Sequence, residues 1–73
     1  MIKPGKKYRH FKGHKYEVLY LAKDSETLED VVVYQNINDK NSIWVRPLSM
    51  FTSKVDKEKY PNACQEYRFE EIK

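Results

Sequence analysis

Two strand-like runs separated by a mostly polar stretch of six residues constrain this chain more than anything else in it. Tyr16-Glu17-Val18-Leu19-Tyr20-Leu21-Ala22-Lys23 is apolar at most of its even and both of its inner odd positions. That is the pattern of a strand buried on much of both faces, as in a closed barrel. Asp30-Val31-Val32-Val33-Tyr34-Gln35 is a β-branched run, which suits a pleated, packed surface. The polar stretch Asp24–Glu29 between them reads as a loop. The two runs are therefore predicted to pair as an antiparallel hairpin.

The remaining segments are short. Asn36–Asn41 is predicted as a turn, since Asn and Asp tolerate left-handed backbone and bond their own main chain. Ser42–Arg46 is predicted as the next strand, with Ile43 and Val45 on one face and Trp44 and Arg46 on the other. Pro47 ends it, because it has no N–H for a ladder, and can open one helical turn at Leu48–Phe51. Thr52–Val55 is expected to be a further strand, Asp56–Gln65 a charged loop, and Tyr67-Arg68-Phe69 with Ile72 a closing edge strand. The expected fold is mainly all-β: a small SH3-like barrel, or a strongly bent antiparallel sheet of about five short strands with one helical turn.

At 73 residues the chain is expected to form a single domain, residues 1–73. A domain of this size buries only about 60% of the surface its unfolded chain exposes. With one cysteine, Cys64, no internal disulfide can compensate, so the core must come from ten aromatics and the Val, Ile and Leu residues. Met1–Lys7 is basic but no apolar stretch follows, so no signal peptide is expected. Nothing approaches the roughly 20 apolar residues of a membrane helix. The expected location is the cytoplasm.

The charge is uneven. Residues 1–23 carry seven cations against Glu17 alone, a local charge of +6, while residues 24–73 sum to −3. The basic third suits a polyanion, and it equally suits a surface kept soluble by lysine.

The blocks Tyr8-Arg9-His10-Phe11-Lys12-Gly13, Ser25-Glu26-Thr27, Val33-Tyr34, Trp44-Val45-Arg46-Pro47, Met50-Phe51 and Arg68-Phe69, in this order, resemble a small bacterial family catalogued as domain of unknown function 1653. Pro4-Gly5 ahead of the first block fits the same pattern. The resemblance spans nearly the whole chain. It implies a compact, β-rich, SH3-like domain of the bacterial cytoplasm and supplies no activity and no site residues. The Asp56–Glu66 stretch departs from the pattern and is expected to carry no function.

Candidate ligand-binding residues come from residue chemistry instead: Arg9, His10, Lys12, Glu26, Tyr34, Trp44 and Arg46. Arginine offers a planar fork for phosphate or carboxylate. Trp and Tyr offer faces for a base or a cation. His10 can donate near neutral pH, and Glu26 can orient Arg9 or Arg46. The same residues admit a structural account, in which an Arg–Glu pair pins the Ser25–Thr27 loop and Trp44 is core.

Other chemistry is poorly supported. His10 and His14 are four apart across Gly13, on the order of 13 Å if extended, too far for one metal ion. Cys64 has no adjacent base or cation to activate it. With only Gly5 and Gly13 no phosphate-cradling loop can form, and no helix-turn-helix pattern exists. No metal and no cofactor is expected. Met50-Phe51 reads as a plug closing one end of the barrel.

The expected function is that of a non-catalytic binding module for an anionic ligand, nucleic acid or nucleotide-like, or for a protein partner. Single-stranded nucleic acid and protein are the partner classes considered, with the chain a monomer or a weak homodimer. The alternative is a small enzyme or accessory subunit acting on a nucleotide-like metabolite through His10, Glu26 and Arg46.

Overall fold

The structure is a computed structural model, and it describes residues 2–73. Five strands form one antiparallel sheet: β1 Lys7–His10, β2 Lys15–Lys23, β3 Asp30–Asn36, β4 Asp39–Pro47 and β5 Phe69–Glu71, with a single helical turn, α1 Leu48–Phe51, after β4. The spatial order is β4-β3-β2-β1-β5. β4 and β5 are therefore free edges, and the sheet stays open rather than closing into a barrel.

The predicted hairpin is present, with Val18 opposite Tyr34 and Lys23 opposite Asp30. The expectation that Tyr16–Lys23 is buried on both faces fails. Leu19 bulges out of register between Val18 and Tyr20, and a bulge reverses which face later residues occupy. Tyr16 and Val18 thus point to the side of Tyr34, whereas Tyr20 points to the opposite side with its partner Val33. On that second face Tyr20, Ile43 and Val45 are exposed.

Three further boundaries differ from expectation. The β3–β4 turn narrows to Ile37-Asn38, with Asn36 paired to Asp39 and irregular pairing beyond it, so β4 begins three residues early. Thr52–Val55 is no strand; it contributes one bridge, Lys54 to Tyr67. Lys7–His10, unassigned from the sequence, is the strand that joins β2 to β5. The loop between β1 and β2 explains how so short a strand is held. His10 N–H donates to the His14 carbonyl and Gly13 N–H to the His10 carbonyl, with Gly13 at φ 102°. A three-residue hairpin loop needs positive φ at its last position, which glycine supplies without steric cost.

The core lies on the face covered by α1. Tyr8, Val18, Val32, Tyr34, Phe51 and Phe69 are buried together, with Ile2, Tyr16 and Leu48 packed against them. Phe51 stacks on Phe69, ring centroids 4.0 Å apart and 6° from parallel. Tyr34 meets Tyr16, Phe51 and Phe69 edge-on at 5.1, 5.4 and 5.5 Å, a geometry that aligns ring edges with ring faces. Of the expected Met50-Phe51 plug, Phe51 alone is buried; Met50 is exposed.

Candidate functional site

At one end of the covered face the sheet opens into a cleft of about 430 Å³. Its floor is aromatic: Tyr16 of β2, Tyr34 of β3 and Phe69 of β5. One wall is Trp44 and Arg46 of β4. Register places them there, since Trp44 lies opposite Tyr34 and Arg46 opposite Val32, and opposed residues share a face. The other wall is Phe11 and Tyr60, packed edge to face at 4.9 Å, with the ammonium groups of Lys12 and Lys59 at 5.4 and 5.6 Å from the Tyr60 ring. His10, His14, Asp56 and Arg68 complete the lining.

Of the residues singled out in the sequence, the structure brings His10, Lys12, Tyr34, Trp44 and Arg46 to this cleft. Arg9 is elsewhere, because its side chain alternates with those of Tyr8 and His10 and so leaves the sheet on the other face. Its Nε donates to Gln65 Oε1 at 2.8 Å. Glu26 lies in the exposed β2–β3 loop, a turn held by Asp24, whose Oδ1 accepts from the backbone N–H groups of Glu26 and Thr27. Those two bonds hold the Asp24 carboxyl below the usual range. No Arg–Glu pair ties that loop to the sheet: the three ion pairs among the described residues are Lys6–Glu71, Lys23–Asp30 and Lys54–Glu66. Trp44 is not core; it is 53% exposed at the cleft mouth.

Phe11, His14, Tyr16 and Phe69 were not among the candidates, and Asp56, Lys59, Tyr60 and Arg68 were missed as well. The Asp56–Glu66 stretch, expected to carry nothing, supplies part of a wall. No local signal in the sequence could have found this, since the loop reaches the cleft only through distant bonds. Gln65 is buried and donates from Nε2 to the carbonyls of Arg9 and Tyr67 at 3.0 and 3.2 Å. Val55 N–H donates to the Glu66 carbonyl, and Arg68 N–H to that of Ser53.

The electrostatics of the cleft are one-sided. Lys12, Arg46, Lys59 and Arg68 make no ion pair among the described residues, and one carboxylate, Asp56, stands against them. Asp56 Oδ1 accepts from the backbone N–H groups of Glu58 and Lys59. Arg46 Nε donates to the Tyr34 hydroxyl at 3.2 Å, and its guanidinium lies 5.5 Å from the centre of the Phe69 ring. The Arg68 Nε–H is buried without a partner. His10 responds to this surplus. Burial first, then the charges of Arg46, Lys12, His14 and Arg68, push its imidazole down to about 4. It is neutral at pH 7, and its Nδ1 accepts the Lys12 backbone N–H at 3.1 Å, which leaves the proton on Nε2 as a donor.

This shift has a measurable consequence. The folded value lies below the ordinary 6.5, so between about pH 4 and 6.5 the unfolded chain binds more protons than the folded one. The His10 contribution is intact above that window and is lost as pH falls through it. Urea titrations of the protein and of His10→Gln should show a steeper loss of stability between pH 6.5 and 4 for the unsubstituted chain. Equal slopes would contradict a neutral, charge-surrounded His10.

No three His, Cys, Asp or Glu side chains among the described residues are placed to hold a metal ion. No described helix is long and apolar enough to cross a membrane. Among known proteins, the family model for Protein of unknown function (DUF1653) matches residues 6–71, as the ordered sequence blocks anticipate. No curated protein and no solved structure matches the chain.

Proposed function

The chain belongs to the DUF1653 family, whose description assigns no activity, and from its cleft we propose that it is a non-catalytic binding module for an anionic ligand of the nucleic-acid or nucleotide kind. The observation that carries this reading is the convergence of four cations without carboxylate partners on an aromatic floor. Cations gathered around aromatic rings suit phosphate and base together. His10 fits as a neutral hydrogen-bond donor. The enzyme alternative is weaker, because Glu26, its proposed acid–base partner, lies in a different loop and does not line the cleft.

Salt tests the reading. For single strands the binding constant falls with the logarithm of salt at a slope of about 0.7 per phosphate neutralised. If three or four of the cleft cations each meet a phosphate, affinity for a short oligothymidylate should drop roughly 20- to 50-fold between about 50 and 200 mM salt. Amide NMR shifts on titration should cluster at His10–Lys12, Trp44–Arg46 and Lys59–Tyr60. Absence of shifts at low salt would sink the polyanion reading and turn attention to protein partners.

A further inference from the structure

Trp44 differs from the Phe and Tyr rings of the cleft, and Arg46 is a cleft cation held by both a hydroxyl and a ring face. Phe11 and Tyr60 already carry lysine ammonium groups, and Tyr16, Tyr34 and Phe69 are packed against one another. Trp44 makes no ring–ring or cation–ring contact among the described residues and is 53% exposed. Its indole is a free stacking surface. Arg46 is held from behind, by Tyr34 at Nε and by the face of Phe69. Its two terminal nitrogens make no hydrogen bond among the described residues, so the outward half of the guanidinium fork is available and already oriented.

The two residues share one face of β4, two positions apart, which separates their backbones by roughly 7 Å. That is comparable to the reach from a nucleobase to the phosphate of its own nucleotide. A base on Trp44 would leave its phosphate near Arg46, with Arg68 also in the cleft lining and His10 beside the two arginine charges.

We propose that Trp44 and Arg46 form a subsite for a single nucleotide unit, base stacked on the indole and phosphate held by the guanidinium. The proposal rests on the reading of the cleft as an anion site. It adds that the cleft recognises a base and its phosphate together, rather than negative charge alone. The same chemistry arises in a free mononucleotide and in an unstacked residue of a single strand. A paired duplex, whose bases are not free, is excluded from the subsite.

Trp44 is the one tryptophan of the chain, so intrinsic fluorescence reads this subsite without labelling. The protein is titrated with thymidine 5′-monophosphate, 2-deoxyribose 5-phosphate and a short oligothymidylate at low salt. The nucleotide and the oligonucleotide should quench Trp44. The sugar phosphate should bind about 5- to 150-fold more weakly than the nucleotide, the range that one base–aromatic stack supplies, and without comparable quenching. Equal affinity for the mononucleotide and the strand identifies a free nucleotide as the ligand; tighter binding of the strand, with the mononucleotide still quenching, identifies a strand residue. Either supports the subsite.

Variants read by amide shifts separate this inference from the broader one. Trp44→Ala should abolish the preference for nucleotide over sugar phosphate, and Trp44→Phe should restore part of it. Arg46→Lys, which keeps charge but not the fork, should weaken thymidine 5′-monophosphate more than it weakens inorganic phosphate. Trp44 is half-exposed, so an unchanged amide spectrum elsewhere confirms that its variants fold. If oligothymidylate shifts the cleft amides but Trp44→Ala alters no relative affinity, the subsite is wrong and the anion cleft stands. If no probe shifts any cleft amide, both fall.

Discussion

Phe51→Ala should strip this protein of a large part of its stability. Phe51 is fully buried, stacks on Phe69 at 4.0 Å, and meets the rings of Tyr8 and Tyr34 edge-on at 5.5 and 5.4 Å. Truncating a buried Phe to Ala removes its transfer free energy and leaves a cavity, a loss of about 3–5 kcal/mol. A chain of this length is expected to have only roughly 4–11 kcal/mol in total. The loss therefore consumes a large part of the whole, with no disulfide to hold the remainder together. The melting temperature should fall by about 15–30 °C, read by circular dichroism. Phe51→Leu, which refills most of the volume, should lose far less. A drop below about 5 °C in the alanine variant would mean that the aromatic cluster is not where the stability resides.

Gln65→Leu should cost about 2–3 kcal/mol although it substitutes one loop residue by a more apolar one of similar size. The side chain closes three hydrogen bonds, donating to the Arg9 and Tyr67 carbonyls and accepting from Arg9 Nε. Leucine would leave those carbonyls unsatisfied at a buried position, and an unmade bond there costs more than a made one gains. The effect should extend to the cleft. Gln65 ties the C-terminal loop to β1, and that loop carries Asp56, Lys59 and Tyr60. Faster hydrogen exchange at Lys59 and Tyr60, alongside a melting temperature lowered by about 10–20 °C, is the expected signature. A stable variant with unchanged exchange would show that the loop is held by other bonds.

What the sequence made legible follows from how local each signal is. The β2–β3 hairpin and the helical turn after Pro47 are written in adjacent residues: a β-branched run, a polar interval, a proline that ends one element and starts the next. β1 was not legible, because Lys7-Tyr8-Arg9-His10 shows one buried ring among charges and is a strand only by virtue of two partners. The burial of Tyr16–Lys23 was misread because the bulge at Leu19 leaves no mark in residue type. In the cleft, alternation along β4 correctly grouped Trp44 with Arg46. Which face they occupied depended on the covering helix and loop, which pattern alone does not position. Arg9 and His10 are neighbours in sequence and so were grouped, yet the period of a strand separates them. Asp56, Lys59, Tyr60 and Arg68 join the cleft through contacts between segments far apart in the chain.

β2, β3 and β4 are sequential neighbours linked by short turns, while β5, the last strand, docks beside β1, the first. Phe69, which floors the cleft and stacks on Phe51, and Arg68, which lines it, arrive only with that final pairing. Without that pairing the cleft would lose part of its aromatic floor and Arg68, and Phe51 its stacking partner. Under the proposed function, a ligand in the cleft would bind only chains in which β5 has docked on β1, and would in turn stabilise that pairing.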